Sequence, residues 1–193
     1  MNRPRKAASA ASPTDGEALS ALARGEISAL GVLYDRHRTA IFQFVARATG
    51  NAGDVEDLVH ATFVTATKAA ASFDGRDSCR PWLVGIAGKL VHRRRRSLFR
   101  FGRALSELTL REGQRSVDPA QQLGARDDVA RVAAALQKMT EAKRLVLLLA
   151  EVESLGCQQI ADALEIPVGT VWTRLHHARK ELRELLREEE EEP

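Results

Sequence analysis

The sequence predicts an all-α protein: two small helical modules joined by a flexible linker. Three observations predict it. Apolar residues recur at spacings of three and four, the period of helices with one buried face. No stretch alternates apolar and polar residues as a half-buried strand would. Ala, Leu, Val, Arg and Glu dominate while aromatics are 5%, a usage that favours helix over sheet. The periodicity lapses between residues 98 and 126, which divides the 193 residues into a module at 17–97 and another at 127–187.

Residues 1–16, rich in Ala, Ser and Pro, read as a disordered arm; no apolar run follows their basic residues, so they are not a secretory signal. Asp15 to Gly25 sets Ala18, Leu19, Leu22 and Ala23 on one face of a short helix. A longer helix starts near Ile27, with Leu30, Leu33, Tyr34, His37, Ile41, Phe44, Val45 and Ala48 in phase. Gly50-Asn51-Ala52-Gly53 stops it. Asp54 is expected to cap a third helix whose stripe is Val55, Leu58, Val59, Thr62, Phe63 and Ala66. Asp54, Glu56 and Asp57 lie in its first turn, where the helix dipole favours acid. A polar turn, Phe73-Asp74-Gly75-Arg76-Asp77, leads to Pro81 and a fourth helix from Trp82 to about Arg96. Trp82, Leu83, Ile86, Leu90 and Val91 are its inward residues. Gly102, Gly113, Pro119 and Gly124 interrupt the linker, which has room for a short helix around Ala104 to Leu110. Helical spacing returns at Asp127 with Val129, Val132, Ala133, Leu136 and Met139. Thr140 then caps a helix from Glu141 to Val152, and residues 188–193 form a frayed, solvated acidic tail.

Net charge is +3 and the isoelectric point about 9.1, but the charge is uneven, with a basic middle and an acidic end. Cys79 and Cys157 lie far apart, without the spacing of a zinc site, so a reduced cytoplasmic protein with no metal and no cofactor is expected. No apolar run is long enough to span a bilayer.

The most informative stretch is Gly156 to Leu186. Gln158 to Leu164 forms a short helix, Glu165-Ile166-Pro167 a tight break, and Val168 opens a longer helix. On the longer helix Val171, Leu175, Ala178, Leu182 and Leu185 fall four, three, four and three apart, so Trp172, Thr173, His176, His177 and Lys180 face outward. Two helices across so short a turn, the second with a polar outer face, make a helix-turn-helix whose second helix enters the major groove. Arg174, Arg179 and Lys180 are cations suited to phosphate oxygens. The plain alternative is a helical hairpin with a solvated face. Adjacent histidines on a helix point about 100° apart, so His176 and His177 are poor joint metal ligands.

A second basic cluster comprises Arg93, Arg94, Arg95, Arg96, Arg100 and Arg103, with Lys89 and His92 one turn earlier and Trp82, Phe99 and Phe101 around it. Cations beside aromatics suit a single or melted strand, because bases stack on rings while guanidinium pairs with phosphate. The alternative is a solvated helix end favoured by the dipole. The face of the third helix, with Asp54, Asp57, His60, Ala61 and Val64, reads as a protein-docking face or an ordinary amphipathic helix. A hydrolase using Asp57, His60 and His37 is a third reading, without any nucleophile–base spacing behind it.

These residues resemble a known family. Leu33-Tyr34 with Arg36, Asp54 through Phe63, Phe73-Asp74-Gly75-Arg76 and Trp82 through Ala87 look like region 2 of extracytoplasmic-function sigma factors. Ile160 through Leu164, Val168 through Leu175 and Ala178-Arg179 look like region 4, so the likeness runs from about Glu17 to Leu186. The resemblance implies a sigma initiation factor that catalyses no reaction itself. Its core RNA polymerase contact would be Asp54, Asp57, Leu58, His60, Ala61 and Val64. The melted non-template strand of the minus-ten element would meet Phe73, Asp74, Arg76, Arg80, Trp82, Lys89, Arg93, Arg94 and Arg96. Duplex DNA at minus thirty-five would meet Thr170, Trp172, Thr173, Arg174, His176, His177, Arg179 and Lys180. The linker would thread the polymerase channels, and an anti-sigma factor is an expected partner. The chain departs from the family pattern at His60 (usually Gln), Lys89 and Arg93 (usually Asn and Asp) and Gln159 (often Glu). Trp172 and His177 stand where basic residues are frequent. The alternative consistent with these departures is a sigma-like helix-turn-helix regulator that binds DNA or polymerase but cannot initiate alone.

Overall fold

The computed structural model describes residues 12–50, 52–73, 78–106 and 126–191. Among them every regular element is helical. α1 (Asp15–Ala23) begins at a reciprocal cap: Glu17 N–H donates to Thr14 Oγ1 at 3.2 Å and Thr14 N–H to Glu17 Oε2 at 2.7 Å. α2 (Ser28–Thr49) ends at Gly50, whose φ of 65° is the left-handed conformation that glycine adopts without penalty. α3 (Val55–Ala69) buries the predicted stripe. Asp54 stands at its N-cap, but the side chain makes no capping hydrogen bond; the carboxylate pairs with Arg94 of α4 instead.

α4 (Arg80–Ser106) differs from expectation in length and in face. It runs on past Arg96 through Ser106, with Gly102 inside it, so the first part of the expected linker is helical. Its most buried residues are Leu83, Val84, Ala87 and Val91, whereas Trp82, Ile86 and Leu90 are only half-buried. The reason is that α4 is covered on two sides. One side meets α2 and α3; the other meets the second module.

That module comprises α5 (Arg126–Lys138), α6 (Glu141–Leu147), α7 (Cys157–Leu164) and α8 (Val168–Glu191). After α6 the chain widens into a π-helical turn, Leu148–Val152. α8 continues through the acidic run as far as Glu191 rather than fraying before it. Ile160, Leu164, Val171, Leu175 and Ala178 are buried, as the spacing requires. The two modules share one continuous apolar core, which runs from Leu33, Val45 and Leu83 to Leu145, Leu149 and Leu164. Residues 1–11 and 107–125, which hold most of the predicted arm and linker, lie outside the described residues. Among those described, no helix is long and apolar enough to cross a membrane.

One buried cation fastens the modules. Arg144 of α6 is 5% exposed. Its guanidinium donates to Ala48 O at 3.0 Å and Thr49 O at 3.2 Å at the end of α2, and to Leu136 O at 3.2 Å and Gln137 Oε1 at 2.8 Å in its own module. The carbonyls closing α2 have no partner within the helix, and the negative dipole end favours a cation there.

Candidate nucleic-acid interfaces

α8 follows the turn Glu165-Ile166-Pro167, where Glu165 adopts a left-handed φ of 55° and Ile166 N–H returns to Ala161 O at 3.1 Å. With Val171, Leu175 and Ala178 facing inward, Trp172, Thr173, His176, His177 and Lys180 are all exposed, Trp172 at 61%. The His176 and His177 rings meet edge to face at 5.5 Å. Thr170 is half-buried. Two of the expected phosphate cations behave differently from the rest of the row. Arg174 is half-buried and lies close enough to His92 and Arg95 of α4 for their charges to interact. Arg179 donates to Glu151 at 2.6 Å, an exposed pair of the kind that contributes little to stability.

The second surface is the start and basic end of α4. Phe73 and Trp82 meet edge to face at 5.7 Å. Arg80 forks onto Glu153 with two bonds of 3.1 Å. Lys89 and Arg93 converge on Glu165 at 2.7 and 3.2 Å, and the hydrogen bond from Lys89 holds the Glu165 carboxyl below the usual carboxylate range, with Arg93 adding to it. Arg94 pairs with Asp54, and Arg96 is exposed. Asp74 and Arg76 lie outside the described residues, as do the side chains of Phe99, Arg100, Phe101 and Arg103. Every described cation expected to hold a strand is thus on α4, but several grip carboxylates of the second module.

The third surface is on α3. Asp57, His60 and Val64 are exposed, Val64 at 53%; Ala61 and Asp54 are half-buried. Leu58 lies in the core stripe as its spacing requires; at 6% exposure it offers a docking partner almost nothing, against its assignment to this contact by the resemblance. α2 contributes residues that the reading missed. Tyr34, Arg38, Thr39 and Phe42 line a groove with Glu56, Val59 and His60. The available signal was Phe42, an aromatic out of phase with the buried stripe of α2 and 44% exposed.

Residues 33–100 match the family model described as Sigma-70 region 2, and residues 130–182 match Sigma-70 region 4. The sigma factor CnrH of Cupriavidus metallidurans is 34% identical over 188 residues, covering 90% of this chain and 96% of that protein. The chain belongs to the extracytoplasmic-function sigma factors. SigL of Mycobacterium tuberculosis, an ECF sigma factor, is 30% identical across 88% of this chain and 96% of its own length. Among solved structures, CnrH in complex with the cytosolic domain of CnrY superposes with a TM-score of 0.57 at 30% identity, covering 89% of this chain and 96% of that one. RpoE of Bartonella quintana, solved with the anti-sigma factor NepR, shares the fold at 22% identity and a TM-score of 0.57, over 85% of this chain and 96% of that one. The function is that of the family, promoter-directed initiation of transcription. Sigma factors are initiation factors, and the chemistry of RNA synthesis belongs to the polymerase.

Sigma region 2 also holds a buried polar knot that the sequence reading did not find. Asp15 is 5% exposed. It accepts from Arg36 Nη1 at 2.6 Å and Cys79 N–H at 2.9 Å, and bonds His37 Nε2 at 3.0 Å. Burial alone would raise its carboxyl, but the Cys79, Arg36 and His37 bonds outweigh that and hold it well below the usual carboxylate range. Burial, reinforced by the Asp15 charge, pushes the Cys79 thiol up to about 12, which leaves it unreactive. Asp15, His37 and Cys79 are close enough to suggest a metal set. Arg36 and Cys79 N–H already take both Asp15 oxygens, so the group serves as a tie between α1, α2 and the residue before α4. Because His37 sits in this knot while Asp57 and His60 face solvent on α3, the hydrolase reading loses its geometry.

Proposed function

We propose that this sigma factor works through three separate surfaces. α3, together with the α2 groove at Tyr34 and Phe42, docks core RNA polymerase through Asp57, His60, Ala61 and Val64. The Phe73 to Trp82 segment and the basic face of α4 capture the melted minus-ten strand, with Arg80, Lys89, Arg93, Arg94 and Arg96 on phosphates. Trp172, Thr173, His176, His177 and Lys180 of α8 read duplex DNA at minus thirty-five, with Arg179 and Thr170 at the margin. Asp54 supports α3 from the side through Arg94, and Leu58 supports it from within. The observation that carries this reading is the exposed row on α8. A tryptophan 61% exposed on the second helix of a helix-turn-helix is an apolar group held out for a partner. A thymine methyl is the partner in duplex DNA that it suits best.

The protein itself catalyses no reaction and acts in the cytoplasm. An anti-sigma factor that covers the polymerase-binding faces is the expected regulator, as the solved sigma–anti-sigma complex of similar fold suggests. A second reading, a sigma-like regulator that binds but does not initiate, draws support from the carboxylate-bound state of Lys89 and Arg93.

Co-purification with bacterial core RNA polymerase, followed by run-off transcription on a genomic promoter library, separates the two. Discrete start sites that depend on this chain are expected. Stable association without transcripts would favour the second reading.

A further inference from the structure

The two aromatic rings that the proposed function gives to the melted strand both stand on backbone supported by α1. Phe73 follows the 3-10 turn Ala70–Ser72, and its N–H donates to Ala70 O at 3.2 Å. α1 packs against that turn. Trp82 lies in the first turn of α4, where Leu83 N–H donates to Cys79 O at 2.9 Å. Cys79 is fully enclosed, and its own N–H donates to Asp15 Oδ2 of α1 at 2.9 Å. The helix therefore reaches the chain beside each ring, and the rings themselves meet edge to face at 5.7 Å.

Asp15 is built to hold a fixed position. Its Oδ1 accepts from Arg36 Nη1 at 2.6 Å, and its Oδ2 lies 3.0 Å from His37 Nε2. Both partners belong to α2, which is anchored on either side of them by the fully buried Leu33 and Ile41. A second nitrogen of Arg36 holds Pro13 O at 2.7 Å, where the chain enters α1. A buried, charged acceptor makes a short and directional hydrogen bond. The place where that bond falls matters. The first N–H groups of a helix have no partner inside it, so the opening turn depends on what lies outside. Pro81 sets a helical φ there but donates nothing. From Leu83 onward α4 is held by its own packing, since Leu83, Val84 and Ala87 are fully buried. Arg80 is exposed and Trp82 only half-buried, so their turn draws less on packing and more on the tie at Cys79.

We infer that Asp15 is a positioning residue for promoter melting: through Cys79 N–H it sets the first turn of α4, and with it Arg80 and Trp82, beside Phe73 in the arrangement that meets the strand. The inference rests on the assignment of Phe73, Arg80 and Trp82 to the melted strand. It gives the N-terminal helix a part in strand capture that is separate from its part in stability.

The chain has two tryptophans, so Trp172→Phe leaves Trp82 as the one indole emitter. In that background Asp15→Ala should move the Trp82 emission to the red and raise its quenching by acrylamide, because the opening turn of α4 loosens. Its affinity for a fluorescein-labelled, mixed-sequence single-stranded DNA oligonucleotide, read by anisotropy, should fall about tenfold. Association with core RNA polymerase should stay within about twofold. His37→Leu supplies the comparison, since it breaks the knot on the α2 side and leaves the bond to Cys79. It should lower the urea midpoint yet keep the parental Trp82 emission and oligonucleotide affinity. Asp15→Ser, whose hydroxyl is too short to reach Cys79, carries the same comparison if Asp15→Ala does not fold. An Asp15 variant with parental emission and affinity overturns the proposal. So does a His37→Leu protein that loses affinity as the Asp15 variant does, because the knot is then a structural tie alone. Trp82→Ala in the native background separates the two levels. Weakened binding there, with parental binding in the Asp15 variant, defeats the positioning role and keeps the strand assignment. Unchanged binding in Trp82→Ala defeats the assignment of Trp82 to the strand and the positioning role with it.

Discussion

At the scale of single residues, the groups that hold this protein together are polar and buried. Arg144 satisfies carbonyls on two elements at once, so its loss leaves acceptors from both modules without donors. Arg144→Met should therefore cost about 3 kcal/mol in urea unfolding, far above the effect of an exposed arginine. Asp15 is tied on both oxygens and its folded pKa is depressed from the ordinary 3.8. The stability it supplies is fully present above 3.8 and is lost as pH falls through the lower, folded value. Asp15→Asn should accordingly be destabilising at neutral pH, with the gap to the parent protein narrowing as the unfolding midpoint is followed below 3.8. Neither role is legible in the sequence. His37 reads there as one more residue in phase on an apolar stripe, and Asp15 as the start of a short helix. Their meeting with Cys79 links positions 64 residues apart, which no local pattern encodes.

At the scale of the element, period decides most of what is seen. The buried faces of α2, α3 and α8 follow from spacings of three and four, because a helix with one solvated face must place its apolar residues there. The same argument puts Trp172 outside. Trp172→Arg should leave the melting temperature within a degree or two, since little surface is buried. It should also change the minus-thirty-five preference recovered from a randomised promoter library; an unchanged preference would remove Trp172 from the reading row. On α3, Val64→Asp places a charge in the exposed apolar part of the proposed docking face and should weaken core polymerase association by roughly tenfold while the fold is kept. The period argument is least complete on α4. A helix covered on two sides has no single stripe, so Leu83, Val84, Ala87 and Val91 outrank Trp82, Ile86 and Leu90. Its length escaped for a related reason. Gly102 lowers helix propensity by only about 1 kcal/mol, which neighbouring helix formers outweigh.

At the scale of the molecule, the joint between the modules gathers like charges. His92 is 8% exposed. Burial, then Arg174 from α8 and Arg96 and Arg95 from its own helix, lower its pKa from the ordinary 6.5, and only Glu165 opposes them. A depressed folded pKa means that stability is complete above 6.5 and declines as pH falls below it. Unfolding midpoints measured from pH 8 to pH 5 should show that decline, and His92→Gln should flatten it; an equal slope in the variant would place the titration elsewhere. By itself the sequence determined the all-helical class, the two modules, the helix-turn-helix and its outward row. Each of these follows from residues within a few turns of one another, where periodicity, capping and turn chemistry act. Tertiary structure alone decided that the modules share a core and that Lys89 and Arg93 hold a carboxylate of region 4. Those outcomes depend on which helix faces which. Helix-to-helix contact brings together side chains far apart in the chain, and a cation's partner is chosen by proximity in space.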